Sequence, residues 1–257
     1  MRHVKGGASI SSQILWGSSV STSVARIFTA PRRRFWGRVL ICVPIAAFAY
    51  FLVLIVAYSF VDPPISSLMA ERRLSGVAIK QSWVPIETIS RHVPTAVITA
   101  EDASYCKHWG VDWRSVRLAW RRIEKGRRPA GASTIPMQTV KNLFLWPGRS
   151  YFRKALEVPL SYIASLVWSK RRLMEIYLNI AEWGPGVFGI EEAARYHFRK
   201  SAARLNAREA ALLAASLPNP HVFKAGRPGP RTYRVANLVA KRMRYAGRLI
   251  SCVKVGK

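Results

Sequence analysis

Apolar and polar positions divide this chain into one uninterrupted hydrophobic run and a series of shorter amphipathic stretches. From Val39 to Val61 no position is charged. As a helix the run would span about 34 Å, enough to cross a bilayer. It is too long for the core of a signal peptide, and Pro44 near one end is tolerable in a membrane helix. Arg32, Arg33, Arg34 and Arg38 precede the run and Asp62 follows it. By the positive-inside rule the N-terminus lies in the cytoplasm and the rest of the chain outside it, with Trp36 and Tyr58 to Phe60 near the two interfaces.

Beyond Pro63-Pro64 the periods are helical. A helix is expected from near Pro94 to Glu101, with Pro94 in its first turn. Asp112 is the expected N-cap of the next, in which Trp113, Val116, Trp120 and Ile123 form an apolar face opposite Arg114, Arg117, Arg121 and Arg122. Ser133 reads as the cap of a third, which places Pro136 in its first turn. Ser150 caps a fourth, Tyr151 to Trp168, in which Pro159 should kink or break the helix soon after Glu157. Lys170 to Ile180 follows, then a loop forced by Gly184-Pro185-Gly186. Further helices are expected at Ile190 to Phe198, at Ala207 to Leu217 with Asn206 and Glu209 as a capping box, and at Thr232 to Ile250. No strand signal of weight and no internal repeat is present.

Composition sharpens the picture. Among 257 residues half are hydrophobic, and the formal net charge is +28. That charge implies an anionic partner such as nucleic acid, anionic lipid or a phosphorylated substrate. A membrane-tethered nucleic-acid binder is disfavoured by topology, because the basic domain would lie outside the cytoplasm. Residues 1–38 lack Asp and Glu and read as a basic cytoplasmic tail. Residues 39–61 are expected as the transmembrane helix, 62–82 as a membrane-proximal segment that could rest on headgroups, and 83–250 as the main helical domain. Cys42 lies in the apolar run, and Cys106 and Cys252 are far apart, so all three cysteines read as free thiols. An oxidising compartment would also allow a Cys106–Cys252 bridge.

The candidate chemistry starts at Glu101-Asp102, an acidic pair between an apolar run and His108-Trp109-Gly110. A carboxylate at the end of an apolar helix is where desolvation can raise a pKa towards that of a general base. A solvated helix end is the plain alternative. The stretch Gly131 to Asn142 joins Ser and Thr hydroxyls to a helix start, a ready phosphate site, with Lys141 and Arg149 adding charge. Arg153, Lys154 and Glu157 share one helix face, which an isolated surface ion pair would also explain.

Taken in order, these blocks resemble the glycosyltransferase domain of peptidoglycan polymerases, glycosyltransferase family 51, from about Trp83 to Pro220. The family's Glu-Asp-x-x-Phe-x-x-His-x-Gly appears as Glu101 to Gly110, with Tyr105 for the Phe. Its Gly-Gly-Ser-Thr-Ile-x-Gln-Gln appears as Gly131 to Gln138, with Ala132, and with Met137 for the first Gln. Lys141-Asn142, Arg153 to Glu157, Tyr177 to Asn179 and a Gly-rich turn follow. Pro136 and Met137 are the main departures; Met137 removes an amide that could bond substrate.

The resemblance implies a mainly α fold: a lysozyme-like helical head, a small membrane-proximal jaw and one N-terminal transmembrane helix. It implies polymerisation of lipid II at a bacterial inner membrane, with inversion and loss of undecaprenyl pyrophosphate. Glu101 would be the base and Glu157 the second essential carboxylate. Asp102, Ser133, Thr134, Gln138, Lys141, Asn142, Arg149, Arg153 and Lys154 would bind substrate. The role of Glu157 stays open between holding the cations, binding a divalent ion (Mg2+ or Mn2+) and assisting the leaving group. No organic cofactor is expected. The partners implied are lipid II, the growing glycan chain, membrane lipids and other cell-wall synthesis or division proteins, and no nucleic acid. A lysozyme-like hydrolase or lytic transglycosylase would need the glutamate but not the cationic cluster.

Overall fold

The computed structural model describes residues 30–127, 131–148, 150–247 and 249–253. The chain forms two compact units, 1–50 and 51–257. Helix α1 (Ala30–Ala57) runs through the boundary between them, with Pro44 inside it and no break. Its stretch Arg38–Ala57 is long and apolar enough to cross a membrane, and side chains such as Leu40, Ile41 and Val53 are exposed. An apolar surface of that length suggests a membrane anchor.

The helix ends at Ala57, short of the expected Val61. The reason is tertiary. Tyr58 stacks on Phe144 with centroids 6.1 Å apart, and Arg172 donates to the Tyr58 and Val61 carbonyls at 3.0 and 2.8 Å. Those bonds take carbonyls that a continuing helix would have used itself.

In the larger unit α2 (Ser67–Leu74) is followed by α3 (His92–Glu101), α4 (Trp113–Glu124), α5 (Ile135–Phe144), α6 (Tyr151–Val167) and α7 (Lys170–Ile180). Then come α8 (Ile190–Phe198), α9 (Ala207–Ser216) and α10 (Pro230–Met243). The core forms where α3 meets α9 and α10 and where α5 meets α6 and α7. Helix α3 is apolar almost all round and buries Val93 through Thr99, as a helix packed on several sides must. The capping box of Asn206 and Glu209 is present at the start of α9.

Four sequence expectations are corrected. The cap of α5 is Thr134, one residue later than Ser133, and its Oγ1 accepts from Met137 N–H at 3.3 Å. Pro159 does not end α6, which continues to Val167; Leu160 and Ala164 beyond it are buried, and that packing outweighs the one hydrogen bond a proline removes. The tail helix spans only Pro230–Met243 rather than Thr232 to Ile250.

The fourth is a small sheet, β1 (Lys80–Gln81), β2 (Glu182–Gly184) and β3 (Val187–Phe188), in the order β1-β3-β2. The outer strand β1 runs parallel to β3, and β2 antiparallel. Strands of two or three residues carry no readable alternation. Gly186 makes the turn at φ +70°, where a Cβ would lie 2.3 Å from the Ala78 carbonyl oxygen.

Helix α4 behaves unexpectedly in another way: Trp113, Trp120 and Ile123 stay half or more exposed. Protein covers that face only in part: Trp113 Nε1 donates to the Tyr162 hydroxyl at 2.5 Å and Ala119 is buried, while the large side chains stay open.

The cysteines also differ from expectation. Cys106 and Cys252 form a disulfide across 146 positions, with Cα atoms 5.5 Å apart; Cys42 is free. The tail folds back to bring them together, burying Ala246 and Val253. Closing so long a loop removes much denatured-chain entropy, so reduction or a Cys252→Ser change should cost about 2–5 kcal/mol. Thermal unfolding with and without reductant measures this, and an unchanged midpoint would refute it.

Candidate active site

The site is built where α3 ends against the start of α5. Glu101 is the last residue of α3, and Gln138 Nε2 donates to its Oε2 at 2.9 Å. Tyr177 on α7 donates to Gln138 Oε1 at 3.2 Å, which orients the amide. Burial raises the Glu101 pKa above the ordinary glutamate value. The Gln138 bond lowers it, the neighbouring Asp102 charge raises it, and Lys141 lowers it. The balance favours a carboxyl more basic than one in water.

Asp102 faces the other way. Its side chain is 1 % exposed; Oδ2 accepts from the Ile135 N–H at 3.0 Å, and His108 Nε2 lies 2.9 Å from Oδ1. It ties the end of α3 to the first turn of α5. Asp102 was expected to bind substrate, but a side chain enclosed in this way binds protein. Thr134 is likewise turned inward, 3 % exposed, with Oγ1 donating to the Gly110 carbonyl. Gly110 itself sits at φ +94°, and a Cβ there would come within 2.8 Å of the Ser161 backbone on α6. The loop from Asp102 to Gly110 is therefore pressed onto α6, and only glycine fits.

A second carboxylate lies on α6. Glu157 is 2 % exposed; Arg153 Nε donates to Oε1 at 2.9 Å and Lys154 Nζ to Oε2 at 2.7 Å. Lys154 also reaches the exposed Ser133 hydroxyl at 3.1 Å. Arg153 is held by the carbonyls of Trp146 and Gly148. This is no isolated surface pair, because the carboxylate is enclosed and Arg153 is held by further bonds.

Lys141 on α5 links the two acids. Burial lowers its pKa; Glu157 and Glu101 draw it up, while Arg153 and Lys154 push it down. It lies within electrostatic reach of both carboxylates. Gln138, Lys141, Asn142 and Arg153 line a cleft of about 450 Å³ together with Arg72 and Glu182. Asn142 is buried, and its carbonyl accepts from Ser67 Oγ at 3.1 Å. Arg149 lies outside the described residues. Met137 is 2 % exposed, so an amide at this position would be packed within the protein rather than reach the cleft.

The Glu157 carboxylate is engaged by protein cations rather than by other metal-ligating side chains. Both its oxygens already accept from cations, and among the described residues no three His, Cys, Asp or Glu side chains converge. Such a donor set suits an ion-pair network. Sequence reasoning also missed residues here. Arg72 and His221 pair with Glu182 at 3.1 Å each; they are remote in sequence and carry no spacing signal. Tyr177 and His108 were visible within the motifs but had no assigned task.

A helical domain with a half-buried, base-like carboxyl beside a cationic cleft, on a chain with one membrane-length apolar helix among the described residues, fits an enzyme that works at a membrane. The chain belongs to the transglycosylase family, whose model matches residues 69–244. Among curated proteins it is 48% identical over 204 residues to the biosynthetic peptidoglycan transglycosylase of Agrobacterium fabrum, covering 79% of this chain and 90% of that one. It is 45% identical over 240 residues to the protein of the same name from Brucella suis, covering 93% and 100%. With that of Rhodopseudomonas palustris it shares 47% over 221 residues, covering 86% and 93%.

Proposed function

We propose that this chain is a peptidoglycan glycosyltransferase of cell-wall biosynthesis that polymerises lipid II, with Glu101 as the general base. Glu101 takes the proton from the 4-hydroxyl of the acceptor sugar as that oxygen attacks the anomeric carbon of the growing chain. The bond to undecaprenyl pyrophosphate breaks with inversion. Charge then builds on the leaving pyrophosphate, where fixed cations stabilise the transition state more than the ground state. Lys141, Arg153 and Lys154 supply that charge, and Ser133 adds a hydroxyl beside Lys154. Glu157 holds the two α6 cations in place. Two separated carboxylates in one inverting displacement parallel the inverting glycosidases, with the acceptor in place of water.

The observation that carries this reading is the shared cleft: Gln138, which bonds Glu101, lines it together with Lys141 and with Arg153, which bonds Glu157. A hydrolase would have no use for the cation cluster. The polyprenyl substrate stays in the bilayer, which explains the membrane-length helix. We place the N-terminus in the cytoplasm and the catalytic domain outside the inner membrane. The exposed Trp113, Trp120 and Ile123 on α4, flanked by arginines, suit an anionic lipid surface.

The full chain reconstituted with lipid II should release one undecaprenyl pyrophosphate per linkage formed. Cutting of finished glycan without polymerisation would make it a hydrolase. Because the base works only when ionised and the Glu101 pKa is raised, the rate should fall on acidification through a midpoint above the ordinary glutamate range. Initial rates across pH test this, and a midpoint at or below that range would contradict it.

A further inference from the structure

We propose that Lys170 is a positioning residue for the base: from the first turn of α7 it clamps the loop between Asp102 and Gly110, and through that loop holds the end of α3 that carries Glu101. The inference rests on the reading of Glu101 as the base. Lys170 Nζ donates to the His108 carbonyl at 2.6 Å and stands 4.6 Å from the centroid of the Tyr105 ring. The Tyr105 hydroxyl donates back to the Lys170 carbonyl at 2.7 Å. Lysine and loop therefore hold each other at three points.

From there a line of hydrogen bonds leads to the site. His108 pairs with Asp102, and Asp102 accepts from Ile135 N–H at the start of α5. Glu101 precedes Asp102 in the chain, and Gln138, its partner, follows Ile135 by one turn. Both halves of the Glu101–Gln138 bond thus hang from Asp102. The other side of the clamp is fixed too. On the neighbouring turn Trp168 Nε1 donates to the Ile55 carbonyl at 2.7 Å, and Arg172 holds Asp62 at 2.8 Å. Lys170 is thus anchored to the exit of the apolar helix and reaches the base without touching it.

The ammonium also holds its proton loosely. Burial lowers the Lys170 pKa to about 8, and the Asp102 charge opposes that shift. The groups facing it are Asp102 at the end of α3 and Tyr105 and His108 of the loop.

The test uses the full-length chain with lipid II. Lys170→Met should fold with a lowered melting temperature and lose roughly ten- to a hundredfold in kcat with KM unchanged, as expected for a misplaced catalytic group. Lys170→Arg should restore most of the rate, since arginine keeps the charge and the donors that reach the His108 carbonyl. Wild-type kcat in the methionine variant, or equal loss in both variants, would overturn the proposal. If the methionine variant does not fold, the arginine variant decides, and a roughly ten- to a hundredfold loss of kcat in it overturns the proposal. Glu101→Gln in the same assay separates the two readings: an active wild type with an inactive Glu101→Gln keeps the base whatever Lys170 does, whereas an inactive wild type fails the base reading itself.

Discussion

Glu101→Gln should lower polymerisation of lipid II by about 10²- to 10⁴-fold, the usual worth of a positioned general base, and leave the fold intact. The side chain keeps its size, and its amide oxygen can still accept from Gln138 Nε2. What it loses is the capacity to take a proton from the acceptor hydroxyl. Stability should not suffer. Burial raises the pKa of Glu101, which means that the fold disfavours the ionised form, and a neutral amide removes that penalty. The melting temperature should therefore equal or exceed that of the wild type at neutral pH, while product formation nearly stops. A variant that polymerises at the wild-type rate would assign the base elsewhere.

That pairing of lost activity with kept stability follows from features the sequence revealed unevenly. The carboxyl at the end of an apolar helix was legible, because Ala96 to Ile98 run straight into Glu101. The cation cluster was legible too, since helix periodicity alone puts Arg153, Lys154 and Glu157 on one face. Hidden was the direction in which the neighbouring polar groups point. Asp102 and Thr134 carry the residue types of a substrate site, yet both bond to backbone in the interior. Sequence spacing fixes which face of a helix a residue shares, but a residue at a helix end can turn either way. Long-range partners were hidden for a different reason. The Cys106–Cys252 bridge and the Glu182–Arg72 pair join segments 146 and 110 positions apart, and no local period encodes such a meeting. The α4 face shows the converse case, for Trp113 and Trp120 follow a buried helix's pattern and remain exposed. A hydrophobic period predicts that a face needs cover, without saying whether protein or lipid provides it.

Glu157→Gln should lower polymerisation by about 10²- to 10³-fold, the scale of losing a preorganised electrostatic contact, by a route distinct from that of Glu101. Glu157 contacts two cations, and a glutamine in its place would turn an NH₂ group towards one of them. Arg153, at 11 % exposure, would lose its enclosed counter-charge, whereas Lys154, at 40 %, can turn to water. The stability cost should be about 1.5–3 kcal/mol, below that of a fully buried pair. The sharper consequence falls on Lys141. Burial already lowers its pKa, and Glu157 is the foremost charge drawing it back up. Without that charge Lys141 should give up its proton at a lower pH, so the variant's alkaline limb should move towards neutrality as its maximum rate falls. Glu157→Asp keeps the charge and should keep the limb near its wild-type position even where shortened reach costs rate. Rate–pH profiles of the three proteins distinguish the cases. A wild-type rate in Glu157→Gln, or a reduced rate with an unmoved alkaline limb, would show that the cations at the leaving-group side do not depend on this carboxylate.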